Sequence, residues 1–255
     1  MLIDGALLLC LGNIMRRGLK TALESHSRVG LGHALELSLD VWKARVAHTS
    51  EIGMLRTLTA FYDQGTNTHA QRVVYLAEAT ASYLQLSQEE IDLTALAALL
   101  HDIGKAGIPK AILQKPESLS EDEWRVMRLH PELGGQMLLL AGGIFARLAP
   151  IVVAHHERWD GSGYPMGLQG EQIPLIARIV AVADSYEAMT SHRHYQETLS
   201  PSQARTELLR CAGSQYDPQI VIAFLAMLDE QDTPTAEDIP LLPLFIPMQA
   251  ASPVH

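Results

Sequence analysis

"LTALAALLHDIG", residues 93–104, runs leucines and alanines straight into a histidine and an aspartate. Alanine and leucine are the best helix formers, and a glycine just past an apolar run tends to stop a helix. The stretch therefore predicts a buried helix whose last turn presents His101 and Asp102, with Gly104 just beyond. A His-Asp pair alone is weak, since the dipeptide often arises by chance. Its weight comes from the chain on either side.

Helix punctuation recurs along that chain and strand alternation is nearly absent. "SQEE" at 87–90 and "SEDE" at 120–123 read as capping boxes, Ser87 answered by Glu90 and Ser120 by Glu123. Ser200-Pro201 and Asp217-Pro218 each offer an N-cap followed by proline at the first helical position, and Pro174 can open another helix. Leu, Ala and Val at helical spacing between these signals predict helices near 66–86, 88–103, 121–129, 131–140, 150–158, 174–190, 201–212 and 218–228. The fold class is all-α.

The ends of the chain read differently. Residues 1–55 are helical in pattern, with Leu35, Leu39, Trp42 and Val46 at spacings of three and four, and fit a helical cap or a dimerisation arm. The tail from Asp229 onward holds Pro234, Pro240, Pro243, Pro247 and Pro253 and predicts an extended segment. Asp4 stands where a secretory signal needs positive charge, and no window approaches the roughly 20 apolar residues of a membrane span. Cys10 and Cys211 are isolated, so neither a disulfide framework nor a metal-binding cysteine pair is present, and a reducing cytoplasm is expected. A net charge of −10 argues against duplex nucleic acid as a partner.

Five of the eleven histidines fall in the central block: His69, His101, His130, His155 and His156. Singly, each has a plain alternative. His69 shares a face with Val73, Leu76, Ala77 and Leu84 and fits a core histidine; His130 before Pro131 fits a turn residue; the 155–156 pair fits a solvated helix end. Asp184, inside "LIARIVAVADSYEAM", is harder to dismiss, because a carboxylate in so apolar a helix needs a partner or a metal. Together, five imidazoles and the carboxylates of Asp102 and Asp184 suit two metal ions better than one tetrahedral zinc.

"HDIGKAGIPKAIL" at 101–113, "HPELG" at 130–134 and "HHERWDGSGYPMGLQGEQIPLIARIVAVADSYEAMTS" at 155–191 resemble the HD-GYP subgroup of the HD metal-dependent phosphohydrolases. The resemblance implies an HD-type helical bundle with a di-metal site in its core and a cyclic di-GMP phosphodiesterase that attacks with a metal-bridging hydroxide. The products would be linear pGpG and then GMP. It implies His69, His101, Asp102, His130, His155, His156 and Asp184 as metal ligands, with Asp102 bridging and counted with Lys105 as catalytic. Lys105, Arg193, Tyr164, Gly161, Gly163 and Tyr195 are the implied substrate contacts. The metals would be iron or manganese first, with nickel or zinc allowed. On this reading, 1–55 is a helical segment of open role, 56–228 the HD-GYP domain and 229–255 the extended tail. A diguanylate cyclase domain is a candidate partner, and a homodimer is allowed.

Two positions depart from the family pattern. Gly65 lies where three-metal members carry a glutamate four residues before the first histidine, and Asp63 is poorly placed to substitute, so two metals are expected. In "RHYQ" at 193–196, His194 and Gln196 replace a proline and a lysine. Losing that cation would weaken phosphate binding by about 1–3 kcal/mol. A weak or inactive module that binds a cyclic dinucleotide and recruits a partner is the alternative, and a di-iron oxygenase a more distant one.

Overall fold

Ser87, Ser120 and Ser200 each begin a helix by one device. Each hydroxyl oxygen accepts from the backbone N–H three residues on, and the side chains of Glu90, Glu123 and Gln203 accept from the serine N–H groups at 3.0, 2.7 and 2.9 Å. Two orphan donors are satisfied at each start. Asp217 acts similarly before Pro218, its carboxylate accepting from the Gln219 N–H at 2.8 Å.

The computed structural model describes residues 67–191 and 198–230. In order these form α1 (Asn67–Tyr83), α2 (Gln88–Leu100), α3 (Lys110–Leu113), α4 (Glu121–Met127), α5 (His130–Ala141), α6 (Gly143–Val153), α7 (Leu175–Thr190), α8 (Pro201–Cys211) and α9 (Pro218–Glu230). Short 3-10 turns occupy Ile103–Gly107 and Gly170–Gln172. Extended pairing among the described residues is limited to the isolated bridges Asp160–Gln169 and Ala212–Tyr216. No described helix is long and apolar enough to cross a membrane.

Helix α7 is the hub, packing against α1, α2, α8 and α9. Its buried Ile179, Val180 and Val182 meet a core that includes Leu100, Leu138, Leu148, Leu208 and Phe224. Each such side chain contributes about 1.5–3 kcal/mol on burial. A smaller cluster of Ile108, Ile112, Val126 and Leu133 seats α3 and α4 against α5. That places the 3-10 turn after α2 between two apolar layers.

The expected helices are present, with three instructive differences. Helix α6 begins at Gly143, not 150, and ends at Val153; Pro150 lies inside it, so His155 and His156 follow the helix rather than close it. Helix α2 stops at Leu100, making His101 its C-cap and Asp102 the start of the 3-10 turn. Helix α9 continues to Glu230, past the expected boundary at 229, because the first proline of the tail comes only at Pro234. Residues 1–66, 192–197 and 231–255, and with them Asp63, Gly65, Arg193, His194, Tyr195 and Gln196, lie outside the described residues.

Candidate metal centre

Five separate pieces of chain deliver the site. His69 comes from the first turn of α1, His101 and Asp102 from the junction after α2, His130 from the start of α5, His155 and His156 from the turn after α6, and Asp184 from the middle of α7. All seven candidate ligands are brought together. His69, His101 and Asp102 offer ligand atoms within 4.8 Å of one another, and His130, His155 and His156 do the same.

Three of the rings are aimed by the same contact. Nδ1 of His101, His130 and His155 lies 2.7, 2.8 and 2.6 Å from the carbonyl oxygens of Ala98, Met127 and Val152, each three residues back. A carbonyl only accepts, so each Nδ1 carries a proton, and in the neutral ring, the form that binds metal, each Nε2 keeps a lone pair turned inward. The buried Nε2 of His101 has no hydrogen-bond partner among the described residues. The Nε2 atoms of His130 and His155 face each other at 3.3 Å, lone pair toward lone pair. Both arrangements are costly until a cation accepts those lone pairs, so the donor set fits divalent metal ions.

Asp102 links the two sets. One carboxylate oxygen lies 3.4 Å from Nε2 of His101, and the other lies 3.3 Å from Nε2 of His130. Asp184 closes the first set, its Oδ1 lying 3.3 Å from Nε2 of His69 and 3.8 Å from Nε2 of His101. Lys105 stands at the rim, its Nζ donating to Asp102 at 2.5 Å.

Burial first, reinforced by neighbouring imidazoles, lowers His130 and His156 to about 3 and holds His155 well below its ordinary 6.5. These rings are neutral at pH 7, the form that binds metal. His69 goes the other way: burial opposes its charge, but the carboxylates of Asp184 and Glu187 outweigh that and raise it to about 9. In the metal-free protein, its stabilisation is complete below the unfolded value of 6.5 and is lost as pH rises through about 9. Burial also opposes the charge on Asp102, yet the Lys105 ammonium beside it keeps its carboxyl well below the usual range.

With this centre assembled from HD and HH pairs, residues 53–220 match the family described as HD domain. The chain belongs to the HD-domain family. Its GSGYP motif at 161–165 places it in the HD-GYP subgroup. The HD domain is 45% identical over 166 residues to the cyclic di-GMP phosphodiesterase response regulator RpfG of Xanthomonas campestris, covering 65% of this chain and 44% of that protein. It is 39% identical over 166 residues to the 3'3'-cGAMP-specific phosphodiesterase 2 of Vibrio cholerae, covering 65% and 32%. This chain thus spans less than half of either relative. Among solved structures, Bd1817, an HDG"Y"P protein from Bdellovibrio bacteriovorus, shares the fold with a TM-score of 0.53 at 18% identity, over 84% of this chain and 78% of that one.

In this HD domain the GSGYP loop is fastened by a residue that the sequence reading passed over. Glu157, adjacent to the histidine pair and only 4% exposed, accepts from the backbone N–H groups of Met166 at 2.6 Å and Leu168 at 3.0 Å. Gly161 turns the loop at φ +80°, while Gly163 is needed for closeness: a Cβ there would meet the Arg158 nitrogen at 2.3 Å. The loop thereby lays Tyr164 on His156, ring centroids 4.9 Å apart at 29°. Glu157→Gln leaves only one oxygen for these donors and turns an NH2 group toward the other. We expect a loss of about 1–3 kcal/mol, or roughly 2–4 °C of Tm for each kcal/mol. An unchanged Tm in calorimetry of the metal-loaded protein would mean that the loop is held by other contacts.

Glu187 was also missed. It is 2% exposed on α7, one turn after Asp184, and its carboxylate meets Nδ1 of His69 and the Ser191 hydroxyl. Its signal was legible as a second acid at i+3 in the same apolar helix. It orients His69 as the backbone carbonyls orient the other rings.

Proposed function

We propose that this domain is a two-metal phosphodiesterase that opens a cyclic dinucleotide, cyclic di-GMP first, to linear pGpG. The observation that carries this reading is Asp102, whose two oxygens face two separate imidazole sets. His69, His101, Asp102 and Asp184 would hold one ion, and His130, His155, His156 and Asp102 the other; imidazoles with carboxylates suit iron or manganese. When bound, such ions supply a water acidic enough to attack near neutral pH and offset the charge of the phosphodiester.

The chain's own groups do the rest. Lys105 lies on Asp102 with its side chain one-third exposed, placed to give its ammonium to a phosphate oxygen. Burial pushes the Tyr164 hydroxyl above its ordinary value, so it stays protonated and available as a donor. Hydrolysis adds water across phosphorus and the ring ester oxygen: the new P–O bond forms, the ester P–O bond breaks, and the proton goes to the departing hydroxyl. The relatives named as cyclic di-GMP and cGAMP phosphodiesterases support the substrate class.

The test is anaerobic purification with metal analysis, then incubation with cyclic di-GMP and chromatography of the products. About two metals per chain and linear product are expected. Full metal occupancy without turnover would instead favour the binding-module reading that Gln196 suggests, with Gln196→Lys as the next variant.

Metal removal has its own expected result. Ligand at about 100 times its Kd stabilises a fold by roughly 2.7 kcal/mol. Returning Mn2+ to chelator-treated protein should therefore raise Tm by about 5–10 °C. No shift in a thermal melt, with metal binding absent as well, would remove the metal centre from the reading.

A further inference from the structure

The described arginines other than Arg128 each have a carboxylate within 4.0 Å: Glu187 for Arg72, Asp122 for Arg125, Glu89 for Arg147, Asp160 for Arg158, Asp217 for Arg178, Asp229 for Arg205 and Glu207 for Arg210. Arg128 has no carboxylate partner among the described residues, in a chain of net charge −10. It is exposed and caps α4, two residues before the candidate ligand His130. Its Cζ lies 5.4 Å from the centre of the Tyr164 ring, and Tyr164 stacks on His156.

The Tyr164 ring thus carries two planar neighbours, the His156 imidazole stacked on it and the Arg128 guanidinium over it. A guanidinium laid on an aromatic face keeps its in-plane N–H donors free, in the fork that matches a pair of acceptors. The metal ligands and Lys105 take up the phosphate end of a substrate. Arg128 is joined to the candidate ligand His156 through the Tyr164 ring, so an exposed guanidinium stands beside the site with its donors available.

We propose that Arg128 is a specificity-determining residue whose guanidinium, seated on Tyr164, reads the O6 and N7 acceptors of a guanine in the bound cyclic dinucleotide. Adenine offers a donor in place of O6, so the same fork fits it poorly. The proposal rests on the cyclic-dinucleotide reading of the site.

The test is calorimetric binding of cyclic di-GMP, 3'3'-cGAMP and cyclic di-AMP to the manganese-loaded full chain and to its Arg128→Ala and Arg128→Lys variants, with turnover followed in parallel. Arg128→Ala should weaken cyclic di-GMP about tenfold or more and leave cyclic di-AMP unchanged, with partial recovery in Arg128→Lys. An equal loss for all three ligands would show that Arg128 acts on phosphate or only through Tyr164, and overturns the proposal. So does an unchanged Kd for cyclic di-GMP. Wild-type protein that binds without hydrolysis sinks the phosphodiesterase alone, because base discrimination by Arg128 is still read in Kd. Failure to bind any of the three sinks both.

Discussion

Asp102→Asn is expected to lower turnover by at least roughly 10³-fold, about 4 kcal/mol of barrier, and to reduce bound metal to one ion or fewer per chain. The substitution keeps size and shape but removes the charge that faces both imidazole sets, at 3.4 Å from His101 and 3.3 Å from His130. It also leaves the Lys105 ammonium beside the site without the carboxylate to which it donates. A neutral amide supplies one weak oxygen ligand where two sets of lone pairs need a shared anion. The measurement is metal content by elemental analysis alongside product formation. Two ions per chain and near wild-type kcat in the variant would show that Asp102 does not join the two sets, and that the ions are held independently. Tm of the metal-free variant separates this from misfolding, since Asp102 sits outside the apolar core.

Much of this arrangement could be read from the sequence where the information is local. A capping box is complete within four residues, so Ser87 with Glu90 and Ser120 with Glu123 mark true helix starts. The candidate ligands were also legible, because imidazoles and carboxylates that interrupt apolar segments need a common explanation. Helix α6 was misplaced because Gly142, Gly143 and Pro150 all look like breaks in isolation. Apolar Leu148, Ile151 and Val152, buried against the core, outweigh the hydrogen bond that Pro150 cannot donate. The positioning of His69 by Glu187 joins residues 118 apart in the chain. The pairing of Arg128 with Tyr164 likewise depends on where two loops meet. Glu187 itself shows at i+3 from Asp184, but the partner each residue finds across the fold leaves no pattern in the sequence.

Gly104→Ala tests how the fold holds the two halves of the site together. Gly104 lies in the 3-10 turn that carries Asp102 and Lys105, and that turn packs directly on α5, the helix opened by His130. A Cβ at this position would stand 1.9 Å from the His130 carbonyl oxygen and 2.4 Å from the Gly134 nitrogen. Both neighbours are backbone, so no rotamer change relieves the clash. The turn and α5 must separate. Overpacking of this kind costs about 3 kcal/mol or more. At 2–4 °C per kcal/mol, a fall in Tm of roughly 10 °C is expected. Separation also pulls Asp102 away from His130, so metal affinity should fall with stability even though no ligand is altered. Gly107→Ala, in the same turn, is the control: its Cβ would meet only the Leu133 Cδ1 at 3.0 Å, and that flexible side chain can give. Equal behaviour of the two alanine variants would show that the turn is free to shift. Loss of stability and metal in Gly104→Ala alone would establish that close backbone contact, rather than the ligands by themselves, sets the spacing of the centre.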